Sequence, residues 1–213
     1  MKLLLNRFIP VLRSSIRPLS DTAVAGTSSR NAVFEHPTVT VPTFDISRKF
    51  GNLFAQTVYS TFFERDFSVE SLVHGANRGI HSLSHFLADQ KWDQMENLVA
   101  KETVENLKLY RKEISPELET ALKFHPDDFV LSFVHSSLIS GKDVFKLSKD
   151  RNVGIYFTIV SYVRLSEKVP ENAKISELTG KYRKDVLVCN ATFSRVLNPL
   201  GVWKITNANF FFI

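Results

Sequence analysis

The chain has 213 residues, 44% hydrophobic and 23% charged, with 18 phenylalanines, which is enough apolar material for one folded domain plus an extension. One cysteine excludes an internal disulfide framework and fits a reducing compartment. The net charge of +5 invites a nucleic-acid partner, but residues 1–30 hold five basic residues and one acid, and the other 22 basic and 21 acidic residues nearly cancel; no DNA partner is expected.

Residues 1–30 mix Leu, Ile, Phe, Arg and Ser around the single acid Asp21. This is the composition of a mitochondrial targeting segment, which must offer apolar and cationic faces to an import receptor and follow an inside-negative potential. A secretory signal would need an uninterrupted apolar core, and Arg7 and Arg13 break the run. Arg17, Leu19 and Thr22 also resemble a two-step matrix-processing signature, in which cleavage after Gly26 leaves Thr27 first. Residues 31–43, with Pro37 and Pro42, read as a linker.

Residues 44–65 predict an aromatic amphipathic helix with apolar side chains most of the way round. Such a helix is either buried broadly or laid against lipid. The uncharged run 50–63 is too short to span a bilayer, which takes about 20 apolar residues. Phe50, Phe54, Phe62 and Phe63 are therefore candidates for membrane or partner contact. Residues 68–90 predict a second helix, with Ser68 as its N-cap and a core-facing stripe of Val69, Leu72, Val73, Ala76, Ile80, Leu83 and Leu87. Gly75 and Gly79 suggest close approach by a neighbour. Short helices follow near Trp92 and Val104, and Ser115-Pro116-Glu117 starts another.

Beyond Pro126 the pattern becomes β-branched and aromatic, predicting strands at 129–139, 153–165, 185–197 and 202–212. Asn198-Pro199-Leu200-Gly201 is a tight turn between the last two, and the polar connection 166–183 reads as an exposed loop. Helices followed by strands predict an α+β fold, with helices on one face of a curved antiparallel sheet of about four strands.

His74, His81 and His85 share one face of the second helix and are a candidate partner face. That face lies opposite the apolar stripe, so it is expected to be wet. His81 and His85 have metal-pair spacing, but no Glu follows His81 and no carboxylate or Cys ligand is evident downstream. Cys189 reads as a buried, inert thiol, and Asp127-Asp128 as a turn. No phosphate loop, nucleophile elbow or zinc pattern is present in the sequence.

The run from Phe62 to Ala76 resembles the start of the domain of the matrix-side subunit of the mitochondrial inner-membrane presequence translocase, the Tim-forty-four-like domain. The hallmark Phe-Ser-x-Glu-x-Leu-x-x-Gly-Ala falls on Phe67, Ser68, Glu70, Leu72, Gly75 and Ala76. Trp92 to Glu102 is similar to its second helix pair, and Trp203-Lys204-Ile205 to its last strand, so 66–213 would be that domain. The resemblance implies a cone-shaped fold like that of nuclear transport factor two. It implies a protein of the matrix, peripheral to the inner membrane, that binds m-AAA protease subunits and helps newly imported inner-membrane client proteins. It implies no catalytic residue, cofactor or metal. Two alternatives stay open. A mitochondrial ribosomal large-subunit protein shares the domain, which keeps ribosome association in view. The cone fold also houses isomerases and dehydratases, which would need His135, Asp185 or Tyr156 pointing into a closed pocket.

Overall fold

The computed structural model describes residues 45–141 and 153–213. The expected targeting segment 1–30, with Arg17 and Gly26, and the expected linker 31–43 lie outside them. Asp45 opens helix α1 (Ile46–Phe62) by accepting from the Arg48 amide at 3.2 Å, satisfying one of the donors a helix start leaves free. Ser68 does the same for α2 (Val69–Ala88) through the Ser71 amide at 3.0 Å. α2 stops at Gln90, whose φ of 57° is left-handed, and the Lys91 amide reaches back to the Phe86 carbonyl at 2.9 Å in a Schellman cap. Helices α3 (Trp92–Met95), α4 (Lys101–Arg111) and α5 (Pro116–Ala121) follow, with Ser115 capping α5 and Pro116 in its first turn.

A 3-10 turn at Pro126–Asp128 then leads into four strands: β1 (Phe129–Ser140), β2 (Gly154–Arg164), β3 (Val186–Val196) and β4 (Lys204–Phe212). Each strand pairs antiparallel with its sequence neighbour, so the sheet is an open meander with β1 and β4 at its edges. Bulges interrupt the register twice in β1 and once between β3 and β4, which bends the sheet. The fold is α+β, with helices packed on a curved four-stranded antiparallel sheet, as the sequence predicts.

Alternation along the strands sorts side chains to two faces. Ile155, Phe157, Ile159, Leu187, Cys189, Ala191 and Phe193 point to the face that meets Ala76, Ile80, Leu83 and Leu87 of α2, and this is the main core. Their neighbours Val160, Tyr162, Val186 and Val188 point the other way into a second cluster. The segment 166–185 closes that cluster. It carries Val169, Ala173 and Leu178 into it, with a short helix α6 (Ile175–Leu178). The expected exposed loop is thus a lid on the sheet's outer face. Its three apolar anchors are too widely spaced in charged sequence to read as a helix or strand.

Gly79 does permit the close approach expected of it. A Cβ there would stand 3.0 Å from Phe193 Cε1. Gly75 faces open space and has no such role.

Candidate functional site

Helix α1 has two apolar faces. Ala55, Val58 and Tyr59 are buried against the domain. Tyr59 is fully buried, with its ring edge-on to Phe67, Phe157 and Trp203. Its hydroxyl donates to Glu64 and accepts from Arg195 at 2.9 Å, and burial and the Glu64 hydrogen bond push its pKa up to about 12. Beside this contact α1 covers the edge of β1 with polar side chains. Arg48 donates to His135 Nε2 at 2.9 Å, and Gln56 to Ser137 Oγ at 3.1 Å. Asn52 Nδ2 donates to the His135 carbonyl at 3.2 Å while its Oδ1 accepts from the Ser137 amide at 2.6 Å. One amide side chain thereby takes the place of an adjacent strand.

On the opposite side of α1, Ile46, Phe50 and Leu53 follow at helical spacing and are 59%, 69% and 63% exposed. Phe54 and Phe62 are exposed as well. Phe63 differs from its expected role. It is half-buried and stacks on Tyr59 with ring centroids 6.3 Å apart, because the helix ends at Phe62 and the chain turns inward. Among the described residues no helix is long and apolar enough to cross a membrane.

A groove of about 1050 Å³ runs between α2 and the start of β1. Val69, Val73, Phe129 and Phe133 give it apolar walls. At its base Asn77 Oδ1 accepts from both Ser132 and Ser161 at 2.9 Å, pinning α2 to the sheet. His74, Arg78 and His81 line the helix wall. Val69 and Val73 therefore leave the core stripe that their spacing suggested, since the first turns of α2 overhang the groove.

The histidine face is brought together, but it is not uniformly wet. His74 is exposed. His81 and His85 are half-buried, with ring centroids 4.4 Å apart. His81 packs on the Phe124 ring at 5.7 Å, and His85 Nε2 donates to the Phe124 carbonyl at 3.0 Å. Burial, then the neighbouring His85, lower the His81 pKa. A helical wheel gives the direction of a side chain; it does not show that the 122–129 crossing returns over that face. Among the described residues no group of three His, Cys, Asp or Glu side chains is arranged to hold a metal ion.

The other singled-out side chains lie elsewhere. Cys189 is buried in the main core, and burial pushes its thiol pKa far up. Asp128 caps the 3-10 turn through the His125 amide and pairs with Arg164 at 3.1 Å. His135 lies under α1. Tyr156 is exposed near the start of β2, and Asp185 is in the lid segment. None of His135, Tyr156 and Asp185 lines the groove.

No protein-family model, curated protein or solved structure matches the chain.

Proposed function

We propose that this chain is a non-enzymatic adaptor on the matrix side of the mitochondrial inner membrane, which holds the m-AAA protease and assists the sorting or protection of newly imported inner-membrane proteins. The observation that carries the reading is the outward apolar face of α1. Ile46, Phe50 and Leu53 stand in water on a helix whose other side is already anchored. Fully covering a side chain of this size contributes roughly 1.5–3 kcal/mol, so the three together supply a docking contact. Contiguous exposed apolar surface of this kind marks interaction sites. The basic, nearly acid-free composition of residues 1–30 supports the compartment. The run Phe67–Ala76 that carries the resemblance opens a long helix capped by Ser68, which supports the reading.

Affinity capture from mitochondria tests the proposal, with the wild-type chain compared against a Phe50→Ser/Leu53→Ser variant. Neither side chain is buried, so the variant keeps the fold. The wild type is expected to recover protease subunits, and the variant to lose at least tenfold. Recovery of no inner-membrane protein by the wild type would sink the reading.

A further inference from the structure

The open edge of β1 is divided in two. Its second half is closed by α1, through Asn52 at His135 and Ser137. Its first half has no such cover among the described residues. Among the described residues, nothing outside the sheet hydrogen-bonds to the backbone of residues 129–134. The groove runs along this half. Ser132, Phe133 and Val134 all line it, although consecutive strand residues point to opposite faces. A groove that meets both faces lies at the rim of the sheet, beside the free amides and carbonyls.

Its helix wall carries a charge pattern. Glu70 and Arg78 both line it, and among the described residues neither is ion-paired, whereas Asp127 has His125 at 3.3 Å. Glu70 and Arg78 are eight positions apart on α2, or about 12 Å at 1.5 Å per residue. Four residues of extended chain span about 13 Å and return to the same face. A strand lying in the groove would therefore set a base against Glu70 and an acid against Arg78 four positions apart.

We propose that the groove receives an extended peptide segment of a partner protein, added as a fifth strand along residues 129–134, with oppositely charged side chains four residues apart meeting Glu70 and Arg78. An apolar side chain between them sits among Val69, Val73 and Val134. Main-chain pairing supplies affinity, and the alternate side chains supply selectivity. A lipid or a small metabolite has no repeating donors and acceptors to satisfy such an edge. The inference rests on the reading of the chain as a binding module and names how a client would be held.

The test uses the full chain and an array of labelled nine-residue peptides of Thr and Ser. Each has one central Val, and an Asp and a Lys two to six positions apart in both orders. Fluorescence anisotropy is expected to peak at a spacing of four, and Arg78→Ala to weaken that peptide at least tenfold without lowering the melting temperature. N-methylation of alternate peptide amides, which keeps the side chains and removes donors, is expected to abolish binding. Amide exchange at residues 129–134 slows when the unmodified peptide is bound. Absence of binding by every peptide, equal binding by the N-methylated form, or protection outside residues 129–134 overturns the proposal. So does protection of that edge by anionic vesicles, or by a second copy of the chain in the absence of peptide. The adaptor reading fails separately, through the α1 variant. Mitochondrial capture without peptide binding would sink the groove alone, and peptide binding without capture would sink the adaptor alone.

Discussion

The Arg48 guanidinium can only donate, so its bond to His135 Nε2 requires a neutral ring with the proton on Nδ1. Burial first, and the Arg48 charge second, lower the His135 pKa from 6.5 to about 4. Above pH 6.5 the ring is neutral in the folded and unfolded states alike, and nothing depends on it. As pH falls from 6.5 towards 4, the unfolded chain binds a proton that the folded one does not, so stability is lost across that window. The melting temperature is expected to fall between pH 7.5 and 5. In His135→Gln, which keeps an acceptor for Arg48, the fall should be shallower. His81, also lowered by burial, retains part of the slope. Identical pH slopes in the variant and the wild type would remove His135 from the account. Arg195 shows the complementary case of a half-buried cation ringed by acceptors. It donates to Tyr59 and Glu64 and to the Gly201 carbonyl at 2.7 Å, and lies 5.5 Å from the Trp203 ring centre.

Within α2 the two glycines separate helix propensity from packing. Alanine is favoured over glycine in a helix interior by about 1 kcal/mol. At Gly75 nothing lies within 4 Å of a new Cβ, so Gly75→Ala is expected to stabilise by about 0.5–1 kcal/mol. At Gly79 the new methyl meets the Phe193 ring at 3.0 Å inside the main core. Overpacking typically costs about 1–3 kcal/mol, so Gly79→Ala should be destabilising on balance. Urea unfolding of the pair checks the contrast, and a stabilised Gly79→Ala would show that Phe193 has room to move. The helices and strands themselves were legible because their signals are local. Ser68 and Ser115 cap where capping residues should stand, and the strands stop within two residues of their expected ends. What sequence could not supply was contact between distant segments. Val169, Ala173 and Leu178 gave no periodic signal, because they are held by the outer face of a sheet assembled from other parts of the chain. The groove stayed hidden for the same reason. Glu70, Arg78 and Phe133 become neighbours only through the docking of α2 on β1, whereas the exposed phenylalanines of α1 could be named from their spacing alone.

At the scale of the whole molecule, one side chain guards half of an edge. Replacing Asn52 with Ala leaves the Ser137 amide and the His135 carbonyl without their partner, and uncovered strand edges pair with other chains. Concentration-dependent self-association is expected of Asn52→Ala by sedimentation, while a variant that stays monomeric would show that the rest of α1 closes the edge unaided. The side-chain hydrogen bonds described between α1 and β1 join residues 81 to 87 positions apart, while the sheet itself is built by each strand folding back on the last. A chain emerging N-terminus first presents α1 long before β1 exists, so this helix is made early and seated late. Seating needs Ser137 already set in the β1–β2 ladder and His135 held at the bulge between Val134 and Ser136. The outward face of α1 is thus held in a fixed pose only on molecules whose later strands have folded, and any partner that reads that pose is also inspecting the completeness of the chain behind it.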